Sequence, residues 1–245
     1  MMTLNEVREK CLTKEKKAAL KRDILCYYLV RPFCDMMTIP CVKLKISATA
    51  VTKVSIILII ASFILFVLSH NTLGFIISWI LFFFWNILDN VDGNIARYTH
   101  TASPIGELWD AAGGYIAMFT FSLGMGISAF HDTNLLFQNL IPSYYYIIFG
   151  ATSGFLLLFP RIILQKKNNL LGKESVESIK NKSNFGFVKT VALNISSING
   201  LASFLFLAGI LTHTLNILTV AYLLFDLLFA FISLMQLFKN PKVEQ

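Results

Sequence analysis

Apolar runs of about 20 residues recur along the chain with short polar stretches between them, and this spacing leaves few folds open. Each run is long enough to cross a ~30 Å hydrocarbon core as a helix. Lipid offers no partner to backbone N–H and C=O groups, so a spanning segment must satisfy them within itself. Of the 245 residues, 56% are hydrophobic and 14% charged, where a soluble domain carries about 25% charged residues. Mean hydropathy is +0.65. The pattern predicts an all-α, polytopic membrane helix bundle with six transmembrane helices, over residues 54–69, 73–88, 105–130, 144–164, 188–211 and 215–238. Residues 1–53 form a cytoplasmic and interfacial N-terminal segment, 54–238 the six-helix transmembrane catalytic domain, and 239–245 a cytoplasmic tail. Within the first segment, the charged residues 1–22 read as a solvated helix. Residues 23–53 mix aromatics with Arg31, Lys43 and Lys45, as an interfacial helix does. No secretory signal peptide is expected.

Charge fixes an orientation. Eleven of the 21 lysines and arginines precede the first run. Arg97 follows the second run, and Arg161, Lys166, Lys167, Lys173, Lys180, Lys182 and Lys189 lie around the 165–187 loop. Lys239 and Lys242 close the chain, and the three alternate loops carry none. This positive-inside asymmetry places both termini in the cytoplasm of an integral cell-membrane protein. The net charge of +7 then meets anionic headgroups, at ~1 kcal/mol per basic residue, and no nucleic-acid partner is implied. Cys11, Cys26, Cys34 and Cys41 lie in the N-terminal region without a CxxC pair and read as free thiols.

Five acidic residues fall in or beside the runs: Asp89, Asp92, Glu107, Asp110 and Asp226. A carboxylate at the bilayer centre costs ~2.5–3.5 kcal/mol on insertion scales and is a functional hypothesis by default. Asp89 and Asp92 share a helix face at i, i+3. Asp110 lies one turn into the next helix, which returns beside the second, so three carboxylates can converge from two antiparallel helices. Like charges this close repel, and hard divalent cations with oxygen ligands relieve the repulsion. Gly93 and Ala96 leave room beside the aspartates, and Arg97 supplies a planar guanidinium suited to phosphate. Ser103-Pro104 before Gly106-Glu107 reads as a helix start whose N–H groups favour anions.

The stretch Asp89-Asn90-Val91-Asp92-Gly93-Asn94-Ile95-Ala96-Arg97, eight residues, then Gly106-Glu107-Leu108-Trp109-Asp110 resembles the signature of the CDP-alcohol phosphotransferases, D-x2-D-G-x2-A-R-x(7 or 8)-G-x3-D-x3-D. Seven of its eight fixed positions match. Residues 46–52 resemble the family's lead-in to its first membrane helix, without its proline and asparagine. The resemblance implies six membrane helices with cytoplasmic termini, an active site facing the cytoplasm and a homodimer. It implies transfer of a phospho-alcohol group from a CDP-linked donor to an acceptor hydroxyl with release of CMP. It implies two divalent ions, Mg2+ or Mn2+, held by Asp89, Asp92 and Asp110. Gly93, Ala96, Arg97 and Gly106 would line the cytidine pocket.

The chain departs from the signature at Gly114, where the family has the aspartate that serves the second metal and is the proposed general base. Either another group therefore acts as base, Asp110 and Glu107 being the catalytic candidates, or the acceptor needs little help. Otherwise the chain is an inactive relative that binds a CDP-lipid or a partner membrane protein. Glu107 shares a face with Gly114 but lies about 10 Å away along the axis, at ~1.5 Å per residue. Asp226 is a second substitute, more readily read as packed and bonded to a neighbouring helix. A cation-coupled transporter is a third reading, against which Arg97, Gly93 and Ala96 count. Arg161 reads as a membrane anchor before a phosphate ligand. Gly150 and Gly154 suit close helix packing, within the chain or between copies. Asn194, Ser196, Ser197 and Asn199 make the fifth helix polar, facing a cavity or bonding between helices.

Overall fold

The computed structural model describes residues 4–12, 17, 20–136, 141–171 and 187–238. Among them all regular structure is helical. Helix α1 covers Leu4–Cys11, and a π-turn at Cys26–Val30 leads into α2, Arg31–Lys43. Then follow α3 (Ala48–Leu68), α4 (Thr72–Tyr98), α5 (Pro104–His131) and α6 (Tyr144–Leu171). The chain ends in α7 (Phe187–Ile195), α8 (Leu201–Thr212) and α9 (Leu215–Phe238). Side-chain oxygens start three of them: Ser47 accepts from Ala50 N–H, Asn71 from Gly74 N–H and Ser103 from Gly106 N–H. Each satisfies a backbone donor that a helix start leaves orphaned. The 165–187 loop beyond Leu171 and the tail from residue 239, with most of their lysines, lie outside the described residues.

Among the described residues, five helices are long and apolar enough to cross a membrane: α3, α4, α5, α6 as far as Lys167, and α9. Apolar side chains such as Ile57, Leu224 and Phe231 face outward from them. The expected fifth span over 188–211 is not one helix but α7 and α8, broken at residues 196–200. The break is built from the polar residues that marked this stretch. Asn194 Oδ1 accepts from Ile24 N–H at 3.0 Å, and its Nδ2 donates to the Arg22 carbonyl at 2.6 Å. Ser197 donates its hydroxyl to the Asp23 carboxylate. Carbonyls freed by the break find donors in neighbouring helices. Ile195 O accepts from Tyr222 Oη at 3.0 Å, and Asn199 O from Asn86 Nδ2 at 3.0 Å. These groups bond between elements, as irregular backbone at membrane depth must.

The core is aromatic. Phe66, Phe75, Phe82, Trp85, Phe121 and Phe206 are each all but fully buried, and the Phe66 and Phe206 rings stack at 5.1 Å. Helices α5 and α6 approach most closely at Gly126 and Gly150, where a Cβ on either would stand 3.1 Å from the other's Cα. Gly154 likewise faces α5 at Phe119. The small-residue pair is thus used within the chain.

Helix α3 packs along both α4 and α5, whereas α4 and α5 touch each other at few points. The sequence expectation set those two side by side. Their separation opens a gap at the end where residues 99–103 join them. Helix α4 also runs ten residues past its expected end at 88, so all of Asp89–Arg97 is helical.

The N-terminal segment closes over that end. The expected solvated helix is docked: Val7 and Cys11 are buried, and Cys11 Sγ donates to the Asn94 carbonyl at 3.3 Å. Tyr98 Oη donates to Glu6 at 3.0 Å, and Arg8 Nε pairs with Asp35 at 2.9 Å. Helix α2 is two-faced. Arg31, Cys34, Asp35 and Thr38 are buried, while Phe33 and Met36, with Tyr28 and Leu29 just before them, are exposed.

All four cysteines are free, Cys41 the least buried of them. Burial pushes the Cys26 and Cys34 thiols up to about 12, so at pH 8 both stay protonated as well as covered. A maleimide applied at pH 8 should therefore label Cys41 ahead of Cys11, Cys26 and Cys34, as read by peptide mass spectrometry. Equal labelling of all four without denaturant would mean that the N-terminal segment does not dock.

Candidate active site

The gap between α4 and α5 is a cavity of about 600 Å³. Helix α4 lends it Asp89 and Asp92, which the i, i+3 spacing turns to the same side, and α5 lends Glu107 and Asp110. Gly93, Ala96, Arg97 and Gly106 also border it. Every residue singled out from the sequence for the site therefore meets one space. Gly114, Arg161 and Asp226 are not among its lining residues. Asp226 is buried between α6 and α9, where its Oδ2 accepts from Ser153 Oγ; it is the packed, bonded residue that its position suggested.

Burial differs sharply along the acidic set. Asp92 is 3% exposed, while Glu107 and Asp110 are open at the mouth. The Asp110 charge is close enough to act on both Asp89 and Asp92. Asp92 Oδ2 stands 2.5 Å from Thr52 Oγ1 on α3. That hydroxyl is also 3.0 Å from the Ala48 carbonyl, and the shorter, charge-assisted contact takes its single proton. The sequence marks Thr52 only as part of the helix lead-in, and nothing in that pattern points to Asp92.

The cationic wall is larger than the sequence indicated. Arg31, from the interfacial helix α2, borders the cavity beside Arg97. Both guanidinium groups donate to one acceptor, Asn94 Oδ1, at 2.6 and 3.1 Å. The Arg97 guanidinium lies over Gly93, where a Cβ would come within 3.1 Å of both its terminal nitrogens. Gly106 contributes differently from the expectation. Its N–H is engaged by Ser103 Oγ at 3.1 Å, so the start of α5 does not offer that donor to a ligand.

Four carboxylates and two guanidiniums line the cavity. Such an excess of negative charge calls for cations, and an all-oxygen donor set suits a hard divalent ion. Among the described residues no ion pair ends on Asp89 or Asp92. The Thr52 hydroxyl holds Asp92 as a supporting shell holds a metal-ligating carboxylate. Among the described residues, no group of three or more His, Cys, Asp and Glu side chains is gathered closely enough to hold an ion as they stand. The donor chemistry fits a divalent ion.

The family model described as CDP-alcohol phosphatidyltransferase matches residues 45–232, from the end of α2 to α9. No curated protein and no solved structure matches the chain. The matched span takes in every cavity residue named above except Arg31.

Gly93 supplies a direct test of the site's geometry. Alanine in a helix interior is ordinarily more stable than glycine by about 1 kcal/mol. The atoms a Cβ would meet are the mobile end of Arg97. Gly93→Ala should therefore melt no lower than the native protein, yet bind CDP about tenfold more weakly by calorimetry, because the guanidinium is displaced. Unchanged CDP affinity would show that the placement of Arg97 over Gly93 has no part in binding.

Proposed function

The chain belongs to the CDP-alcohol phosphatidyltransferase family, and from that premise we propose that it transfers a phosphatidyl or similar phospho-alcohol group from a CDP-linked donor to an acceptor hydroxyl, releasing CMP, in phospholipid or glycoconjugate synthesis. The observation that carries this reading is one cavity shared by Asp89, Asp92, Asp110 and Arg97. A soluble phosphate enzyme needs no such cavity at the end of a membrane bundle, and a cation transporter needs no guanidinium there.

The family is generally divalent-metal dependent. On this reading Asp89, Asp92 and Asp110 hold Mg2+ or Mn2+, which when bound neutralises charge on the donor pyrophosphate. Arg97 lies against the backbone at Gly93, and with Ala96 and Gly106 it shapes the nucleotide side of the cavity. The acceptor oxygen forms a bond to the phosphorus remote from cytidine while the bond from that phosphorus to the CMP oxygen breaks. The hydroxyl proton passes to Glu107 or Asp110, both open at the mouth. Positioning by the cavity walls supplies much of the rate. The basic N-terminal segment and the loop beyond α6 set this end toward the cytoplasm, so both substrates meet at the inner surface. A homodimer would use a face other than Gly150 and Gly154, which α5 covers.

Gly114 favours a second reading, a non-catalytic relative that binds a CDP-lipid or a partner membrane protein. A Cβ at Gly114 would meet nothing within 4 Å. An aspartate there is therefore free of clashes, one helical turn beyond Asp110. We expect purified protein with magnesium, CDP-diacylglycerol and a panel of alcohol acceptors to release CMP. Asp89→Asn or Asp92→Asn should lower that rate at least 100-fold, and Gly114→Asp should raise it. If the native chain releases no CMP and Gly114→Asp does, the second reading holds.

A further inference from the structure

We propose that Arg31 of the interfacial helix is a phosphate-binding residue of this cavity, locked into a pair with Arg97 by Asn94, and that the pair binds phosphate without a metal. The proposal deepens the phosphate-transfer reading for the natural ligand, but the anion site itself rests on geometry.

Asn94 is fully buried and all of its polar capacity is in use. Its Oδ1 accepts from Arg31 Nη2 at 2.6 Å and from Arg97 Nη2 at 3.1 Å. Its Nδ2 donates to Thr38 Oγ1 at 3.0 Å and faces Asp35 Oδ1 at 3.5 Å. Two guanidinium donors on one side and a carboxylate on the other permit a single orientation of the amide. Arg31 is 4% exposed, and its Nε lies 3.0 Å from Asp35 Oδ1. Arg97 Nε is buried and has no hydrogen-bond partner among the described residues.

Holding two like charges on one oxygen is costly. The positive charge of Arg31 acts directly on Arg97. Asp35 offsets Arg31 and is shared with Arg8, 2.9 Å away, while Asp92 and Asp110 across the cavity are the carboxylates that act on Arg97. Both arginines nonetheless border the cavity. A pair held together at such cost, facing an open space, is completed by an anion. Planar guanidinium groups match the oxygens of a phosphate. The same space brings Asp89, Asp92 and Asp110 to the opposite demand, so one phosphate group can face the arginines while another faces the carboxylates.

The phosphate could belong to the donor's pyrophosphate or to a phosphorylated acceptor, and the probes separate the two. Calorimetry in detergent with EDTA present would use CDP, glycerol 3-phosphate and, as the phosphate-free control, cytidine. We expect CDP or glycerol 3-phosphate to bind without metal, and whichever binds names the source. Arg31→Gln should weaken that binding at least tenfold. Asp35→Asn removes the ion pair but keeps Arg31, so it should lower the melting temperature while binding the same probe as tightly as the native protein or more so. Arg31→Lys keeps the charge but cannot span Asp35 and Asn94 together. It should bind between the two, and it replaces Arg31→Gln if that variant does not fold. A purely structural Arg31 predicts equal loss in the arginine and Asp35 variants. Equal loss, no loss in the arginine variants, or no metal-free binding of either phosphate probe overturns the proposal. Failure of CMP release with magnesium would sink the transferase reading and leave this result untouched.

Discussion

Like charge gathered in one cavity is the constraint around which this end of the molecule is arranged. Asp89, Asp92, Glu107 and Asp110 face a common space, and in a medium poorer than water in screening each raises the cost of the others. Two rigid helices could not hold these groups together by packing alone. Helix α3 takes the strain by lying against both α4 and α5, so the helices that carry the aspartates are fixed without being forced into contact. The Thr52 hydroxyl from α3 then holds Asp92 directly. The gap that results is the cavity, and its width follows from the thickness of a third helix.

The opposite charge is brought in from outside the bundle. Helices α1 and α2 pack over the C-terminal end of α4, where Val7 and Cys11 are buried and Cys11 bonds to Asn94, while Arg8 ties α1 to Asp35 of α2. This is where an interfacial segment gains a role beyond anchoring. Its outer face is apolar and its inner face carries Arg31, Asp35 and Thr38. One short helix can therefore rest on the membrane surface and place a guanidinium beside the aspartates. The broken α7–α8 segment ties in the same region. Asn194 and Ser197 bond to residues 22–24, just before the π-turn that leads into α2. Docking of the N-terminus and breaking of the expected fifth span are parts of one arrangement.

Much of this was legible in the sequence, and what was not has physical reasons. Long apolar runs announce α3, α4, α5, α6 and α9, because lipid demands continuous helices of that length. The acidic cluster announces its own site, since carboxylates are rare where apolar residues dominate. The break at 196–200 was visible only as polarity, because Leu201–Thr212 is apolar enough to read as the continuation of one span. Asn194, Ser197 and Gly200 gain their meaning from residues 22–24, which lie far away in the chain. Docking of α1 was hidden because Val7 and Cys11 are two buried positions among many charges, too few to make a stripe. Arg31 carries no motif and reads as one more basic residue near a membrane, and the lead-in pattern that contains Thr52 gives no sign of its bond to Asp92. A tertiary contact reveals them, and no local pattern does.

Gly114 turns on the same logic of charge and space. Asp110 lies one helical turn earlier on α5, and the side of the helix that a Cβ at 114 would enter is empty to 4 Å. Had the glycine been required for packing, a neighbour would fill that direction, as Tyr146 and Gly150 do against Gly126. Packing therefore does not account for the glycine, and the site carries one carboxylate fewer than the family signature. With Arg31 and Arg97 both at the cavity, two guanidiniums face the four carboxylates of its lining. On the transferase reading, the two guanidiniums suit the phosphate oxygens and the carboxylates suit a divalent ion, so the two sides of one cavity divide the work.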